Sequence, residues 1–477
     1  MNPQELKREV GTWGSFSMGY ADVGADIYVV LGVIVLFAGL ASPFAFGIAA
    51  IVYVCTGLCY AELSTKYPVA GGGQFYSMKA FGKIHGFVAG WGLMLGYTVD
   101  IALFSLATVG YLGVMAKSFL SGFPVTQPPF YGLIAIALIL MLMILNLVGI
   151  KYSSKLNELI VAVDLVTVSL FLTFGLPSIV ASGALQSWLG NLGHVFESGS
   201  FGGTANYSTF IYALSLATAS YIGIESISQA AEETKRPGKV IPKATKAAIL
   251  AVVVVAISLS LLSVTLAPFQ DVANNSTSPA VTLAGHLPLI GGIFAIWVGL
   301  MGTLVCYIST NTGVIGVSRV TFSMSRLGLM PKSFSRVSAK FRTPYATIII
   351  FSVIACLLLV AGVGLANYQL LPLIASVYNF GALIAYMYVN AAAVVLRFKD
   401  PERPGWKMPL NFTVRRAGTV YRVSIIPLIG MVSTTVIWLI LVAANPDGRN
   451  FGALWFVVGI AGYLIYQKRK GGRKPDA

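Results

Sequence analysis

The chain has 477 residues, of which 56% are hydrophobic and only 10% are charged. A soluble domain carries about 25% charged residues, so this composition excludes a soluble protein. Long, continuous apolar runs near the roughly 20 residues that span a bilayer as a helix also exclude a transmembrane β-barrel, whose segments are short and alternating. The sequence therefore predicts an all-α polytopic membrane protein.

The apolar runs predict 12 transmembrane helices. In chain order they lie near residues 16–39, 42–64, 84–117, 129–148, 154–184, 207–231, 243–268, 289–325, 344–363, 367–397, 424–444 and 450–467. They group into six regions: a cytoplasmic N-terminus (1–15), a first five-helix repeat (16–184), a second, inverted five-helix repeat (207–397), a cytoplasmic loop (398–423), two C-terminal helices (424–467) and a basic cytoplasmic tail (468–477).

The net charge of +15 reports orientation in the membrane. Lysine and arginine concentrate at the N-terminus, in the loops after even-numbered helices and in the tail, whereas the opposite loops hold only Lys117 and Arg449. This is the positive-inside pattern. We therefore expect a multi-pass protein of the cell membrane with both termini in the cytoplasm, and no nucleic-acid partner.

Two of the predicted helices contain glycines and polar residues that interrupt the apolar run, so we expect both to be discontinuous. They are helix 1, in the segment from Gly19 to Asp26, and helix 6, in the segment from Ala219 to Glu225. Each is the first helix of a five-helix unit, and an odd number of helices per unit inverts the second unit. Interruptions at corresponding positions in two halves point to a binding site near the bilayer midplane.

Five carboxylates lie inside the apolar runs, where a charge costs on the order of 3 kcal/mol or more. They are Asp22, Asp26, Asp100, Asp164 and Glu225. Such a group faces a cavity, pairs with a partner, or carries a proton or a cation. No nucleophile–base pair, metal-ligand cluster, disulfide framework or nucleotide loop is recognisable, so neither an enzyme nor a resident cofactor or metal is expected.

Several motifs together resemble the amino acid–polyamine–organocation superfamily, in its amino acid permease branch, over roughly residues 8–330. They are Gly24 to Gly32 in helix 1, Tyr60-Ala61-Glu62-Leu63 with Tyr67-Pro68 and Ala70-Gly71-Gly72, Gly90-Trp91, Gly223-Ile224-Glu225 with Ala231 to Pro237 and Ile241-Pro242, and Ser318-Arg319 with Leu327 to Pro331. The resemblance implies a LeuT-type fold, with a 5+5 inverted repeat plus two helices, and secondary active transport by alternating access.

In such permeases the substrate carboxylate meets backbone amides of the helix 1 break, and the substrate amine meets carbonyls of the helix 6 break. The resemblance places the amides at Gly24, Ala25 and Asp26, and the carbonyls near Ala219, Ser220 and Ile222. Tyr221 becomes a lid or packing residue. Glu225 follows the break and either contacts the substrate or braces the break.

Two positions depart from the family pattern. Asp26 occupies the place of a glycine, where an ionised carboxylate repels a substrate carboxylate by roughly 4 kcal/mol at 4 Å. Three alternatives remain open: Asp26 is protonated, points away from the site, or meets a cationic substrate. Asp164 occupies the place of a lysine found in some proton-coupled relatives, so it binds a sodium ion or shuttles a proton, with Ser318 as a possible oxygen ligand.

The acidic residues leave the substrate class open. Potassium importers of the KimA and Kup type resemble this chain at Asp22, Tyr28, Asp100 and Thr108. Tyr28 is therefore also predicted as a substrate-binding residue. The first hypothesis is a proton-coupled amino acid importer for a small-molecule substrate, with Asp22, Asp26, Asp100, Asp164 or Ser318 holding the coupling proton or monovalent cation. The alternatives are import of potassium or a polyamine, or a non-transporting receptor or channel with the same fold.

Overall fold

The computed structural model describes residues 8, 10–119, 124–127, 129–148, 151–194, 207–275, 277–338, 341, 343–364, 370–400, 405–416 and 419–471. Most of the predicted N-terminus, part of the predicted loop 398–423 and the end of the predicted tail lie outside these residues.

Among the described residues, the first half of the chain forms seven α-helices. They are α1 (Thr12–Ala38), α2 (Ser42–Lys66), α3 (Gly73–Phe81), α4 (Lys83–Phe119), α5 (Phe130–Val148), α6 (Lys151–Ala181) and α7 (Ala184–Gly190). The second half continues with α8 (Tyr207–Ala217), α9 (Glu225–Gln229), α10 (Pro237–Thr265), α11 (Phe269–Asn274), α12 (Pro279–Gly285), α13 (Gly291–Arg326), α14 (Tyr345–Gly364), α15 (Leu370–Lys399), α16 (Ile426–Ala444) and α17 (Pro446–Gly471).

By length and hydropathy, the described residues contain ten candidate membrane spans. The first, Thr12–Lys66, holds both α1 and α2, and a shorter apolar helix lies at Tyr345–Ala361. The architecture is that of a polytopic helical membrane protein. The count of twelve stays a prediction, because it is reached only when the first span is divided and the shorter helix is also counted.

One short β-hairpin accompanies the predicted helices. Strands β1 (Asn411–Arg416) and β2 (Thr419–Ser424) form an antiparallel hairpin in the polar region before α16. Arg397 of α15 holds it, donating to the Asn411 side chain at 2.5 Å and to the backbone oxygen of Arg422 at 3.1 Å. Alternating Val, Tyr and Thr residues favour strands here, since β-branched and aromatic side chains suit a pleated surface.

Helix α1 lies at the centre of the fold and packs against α6, α8, α10 and α13. Nearly every residue of α1 from Gly14 to Val35 is buried. The close contact between α4 and α13 depends on glycines: a Cβ on Gly302 would lie 2.3 Å from the Tyr111 ring, and one on Gly316 would lie 2.6 Å from the Tyr97 ring. These contacts leave the polar residues of α1 enclosed by neighbouring helices.

Candidate transport site

The predicted break in helix 6 is present in the structure. Helix α8 ends at Ala217, a 3₁₀ turn covers Thr218–Tyr221, Ile222 is extended, and α9 begins at Glu225. Gly223 has φ +124°, a backbone conformation that residues with a Cβ rarely adopt. A Cβ there would also lie 2.7 Å from the Asp22 carboxylate. Glycine therefore allows both the turn and the approach of α1.

Glu225 stabilises this break. Its carboxylate accepts hydrogen bonds from the backbone N–H of Gly223 at 3.1 Å, from the Tyr386 hydroxyl at 2.7 Å and from the Tyr97 hydroxyl at 3.2 Å. Buried polar groups are normally hydrogen-bonded, and these donors satisfy both carboxylate oxygens. Of its two predicted roles, the geometry favours bracing of the break over contact with a substrate.

Helix 1 differs from the prediction. The structure shows one continuous α-helix from Thr12 to Ala38, so the expected break is absent. The amides of Gly24, Ala25 and Asp26 lie in the middle of this helix, where backbone N–H groups bond to carbonyls four residues earlier. They are therefore not free to bind a substrate carboxylate in this conformation. Glycine content alone does not break a helix that its neighbours support on all sides.

Asp22 joins helix 1 to the helix 6 region. The Ser226 hydroxyl donates to Asp22 Oδ2 at 2.7 Å, while Oδ1 is buried and without a hydrogen-bond partner in the described part of the chain. The contact holds α1 directly against α9. The sequence analysis does not single out Ser226, although its place directly after the motif Gly223-Ile224-Glu225 is a signal that could have found it.

Among the acids that the structure describes, Asp26 and Asp100 are the least satisfied. Both are fully buried, and none of their four carboxylate oxygens finds a hydrogen-bond partner among the described residues. Asp26 interacts electrostatically with Asp100, Asp22 and Glu225, so these four form one acidic cluster. The buried residues that the structure describes include no lysine or arginine. The cluster has the composition of a site for protons, a cation or an ammonium group.

Asp164 lies apart from this cluster, against helix α1. Its Oδ2 accepts from the Tyr20 hydroxyl at 2.9 Å, and its Oδ1 accepts from the Tyr28 hydroxyl at 2.7 Å. Tyr28, predicted as a substrate-binding residue, thus commits its hydroxyl to Asp164. Ser318 donates to the backbone oxygen of Ile315 at 2.8 Å, a bond within α13.

Next to the helix 6 break, three hydroxyls are buried without a hydrogen-bond partner in the described part of the structure: those of Ser220, Tyr221 and Tyr53. The rings of Tyr53 and Tyr221 lie 5.3 Å apart. Tyr53 interacts electrostatically with Asp22, Asp26 and Glu225, which places these hydroxyls beside the acidic cluster. Tyr53 was missed because nothing in a long apolar helix marks which tyrosine faces the interior.

Comparison with known proteins assigns the family. A profile described as amino acid permease matches residues 10–465, nearly the whole chain. The chain belongs to the amino acid permease family. The branched-chain amino acid permease BcaP of Bacillus subtilis is 28% identical, covering 98% of this chain and 94% of its own length. The methylthioribose transporter of the same organism is 24% identical, covering 94% of this chain and 90% of its own length.

Among solved structures, Mhp1, a nucleobase-cation-symport-1 family transporter in a closed conformation with bromovinylhydantoin bound, matches with a TM-score of 0.54. The match covers 98% of this chain and 99% of Mhp1 at 15% identity, so it shows the fold. The predicted LeuT-type fold and the predicted class, a membrane transporter for small molecules and not an enzyme, are confirmed.

Proposed function

We propose that this permease imports amino acids across the cell membrane by alternating access, coupled to protons. The observation that carries the proposal is the set of unpartnered, buried polar groups beside the helix 6 break: Asp26, Asp100 and the hydroxyls of Ser220, Tyr221 and Tyr53. Buried polar groups without partners are rare in folded proteins. A bound polar substrate would satisfy these groups.

An amino acid fits this set of groups in two ways. Its ammonium group is attracted by the carboxylates of the acidic cluster, and carbonyls at the interrupted backbone near Ser220 and Ile222 accept its N–H donors. The facing rings of Tyr53 and Tyr221 offer apolar surface to an aliphatic side chain. A similar relative is named for branched-chain amino acids, which supports leucine, isoleucine and valine as the first substrates to test.

Protons are the favoured coupling ions because of the charge in the site. Two carboxylates about 4 Å apart repel each other by roughly 4 kcal/mol even at an effective dielectric constant near 20. Asp22, Asp26, Asp100 and Glu225 have no buried lysine or arginine among the described residues to offset this repulsion. Proton uptake removes it. Proton loss on the other side of the membrane would restore the repulsion among the carboxylates.

A second candidate function is import of a small cation, potassium or a polyamine. The unpartnered carboxylates of Asp26 and Asp100 favour it, since oxygen ligands suit hard cations. A cationic substrate also removes the conflict between Asp26 and a substrate carboxylate. The two candidate functions make opposite predictions about whether potassium or a polyamine competes with an amino acid in a transport assay.

The test is counterflow in proteoliposomes. Vesicles loaded with unlabelled leucine are expected to accumulate labelled leucine, whereas potassium or spermidine should not compete. Asp26→Asn should lower the rate by about tenfold or more, as expected for loss of a charged contact. Asp447→Asn, the same change at an exposed residue, serves as the control.

Coupling is tested separately with an imposed pH gradient, which should drive leucine accumulation that a protonophore abolishes. Absence of counterflow for every amino acid would contradict import and support a receptor. Inhibition by potassium or spermidine instead would support the cation importer.

A further inference from the structure

The two tyrosines that bind Asp164 come from one helix and approach it from opposite directions along the axis. Tyr20 and Tyr28 are eight residues apart in α1, which corresponds to about 12 Å of rise. Their hydroxyls nevertheless meet on the two oxygens of one carboxylate, at 2.9 and 2.7 Å. All three residues are buried. Together they form a three-residue clamp, Tyr20–Asp164–Tyr28.

The clamp spans the segment of α1 where the family pattern places a break. Gly24, Ala25 and Asp26 lie between the two tyrosines. The Tyr20 ring lies against Gly24, where an added Cβ would be 3.0 Å from the ring. Extending or bending the helix at this segment would change the separation of the tyrosines and pull at least one hydroxyl from Asp164. The clamp therefore favours the continuous helix that the structure shows.

Helix α6, which carries Asp164, also has contacts that do not involve α1. One turn further along α6, Thr167 accepts a hydrogen bond at 2.9 Å from the indole N–H of Trp297 in α13. The rings of Phe171 and Phe294 join the same two helices with centroids 4.9 Å apart. Helix α6, which carries Asp164, is therefore tied to α13 by contacts that the clamp does not supply.

We propose that Tyr20 and Tyr28 are positioning residues that keep α1 continuous by binding ionised Asp164, and that a proton taken up at Asp164, apart from the acidic cluster, releases α1. This proposal rests on the proposed proton-coupled import. An ionised carboxylate accepts at both oxygens, whereas a protonated one donates from one of them. The tyrosine that donated to that oxygen must then turn away or become an acceptor.

The proton step breaks no bond between heavy atoms. The proton comes from water on one side of the membrane, resides on one carboxylate oxygen, and leaves to water on the other side. The titratable groups that interact with Asp164 are Tyr20 and Tyr28 from α1 and Cys306 from α13. No lysine or arginine pairs with Asp164 among the residues that the structure describes. Whether the clamp is closed therefore depends on whether Asp164 carries a proton.

The test compares coupled and uncoupled transport in Tyr20→Phe and Tyr28→Phe. Each variant removes one hydroxyl, so α1 is released without a proton. Accumulation driven by a pH gradient should fall by about tenfold or more, as expected for a lost hydrogen bond to a charged group. Counterflow should keep its rate and its KM for leucine within about twofold, because the substrate contacts are intact. Tyr76→Phe, which removes another buried hydroxyl, bonded to Ser64 at 2.9 Å, is the control.

Each remaining outcome overturns the proposal. An equal loss in both assays together with a lowered melting temperature would indicate a purely structural role for the tyrosines. A large rise in KM for Tyr28→Phe would place Tyr28 in the substrate site, and unchanged coupling in both variants would remove the clamp from the transport cycle. A wild-type protein without proton-driven uptake would reject the proposed function, a result visible before any variant is measured.

Discussion

Gly223 is the residue on which the geometry of the helix 6 break depends most. Gly223→Ala would force a side chain into φ +124° and place its Cβ 2.7 Å from the Asp22 carboxylate. Backbone strain of this kind costs on the order of 1–3 kcal/mol, before the displacement of Asp22 is counted. We expect a lower melting temperature, and a counterflow rate reduced by about tenfold or more.

Gly47→Ala in α2 is the matched control, because a Cβ at Gly47 would meet no atom within 4 Å. It should leave both the melting temperature and the counterflow rate near wild type. A Gly223→Ala variant as active as Gly47→Ala would show that the break tolerates a Cβ and that the contact with Asp22 is dispensable.

At the scale of secondary-structure elements, an ion pair between buried Glu62 and largely buried Arg397 joins α2, α15 and the hairpin. Arg397 donates to both carboxylate oxygens of Glu62, at 2.7 and 2.5 Å, and the backbone N–H of Met408 donates to Glu62 at 2.8 Å. Removing one partner of a buried pair leaves the other charge uncompensated, at a cost of about 3–5 kcal/mol. Glu62→Ala should therefore lower the melting temperature and expose the hairpin to limited proteolysis.

Asp400→Ala provides the comparison, since this acid pairs with Lys79 at 3.0 Å and with Lys66 at 3.3 Å but is more exposed. The hydrogen bond from Tyr67 and the two lysines hold the pKa of Asp400 well below its usual range. Its stabilisation is therefore present at neutral pH and is lost only as the pH falls through the acid range. Exposed pairs contribute less than buried ones, so Asp400→Ala should be the milder variant at neutral pH. The reverse order would contradict our assignment of Glu62 as the main tie.

Some elements could be predicted from the sequence and others could not, for physical reasons. The interruption of helix 6 is local: it requires Gly223 and an acid to accept its free N–H, and both lie within three residues. The continuity of helix 1 cannot be predicted from nearby residues in the sequence. The helix is accompanied by contacts of Tyr20 and Tyr28 with Asp164, which is more than 130 residues away. The hairpin was missed because the same residues also read as a polar loop between two strong helical signals.

For the whole molecule, hydropathy and motifs were sufficient to predict the LeuT-type fold, but they could not sort the five buried acids. The structure separates them by partner: Glu225 braces the break, Asp164 holds two tyrosines, and Asp22 binds Ser226. Asp26 and Asp100 remain without hydrogen-bond partners among the described residues. Such pairings depend on which helix faces lie together. The hydropathy of a single sequence indicates which residues are buried, but not which residues they contact.

The orientation of the molecule in the membrane is open to a direct test. Positive residues are retained on the cytoplasmic side during insertion, and the lysine-rich and arginine-rich loops of this chain include the one containing Lys407. Leu289, 94% exposed, lies in a loop on the opposite side by that pattern. In intact cells a membrane-impermeant maleimide should label Leu289→Cys but reach Lys407→Cys only after permeabilisation. The native cysteines give a low background, because Cys55, Cys59 and Cys306 are buried and Cys356 is half-buried. The opposite labelling pattern would place both termini outside the cell. The two five-helix repeats would then face the opposite sides of the membrane, and the proposed direction of transport through them would be reversed.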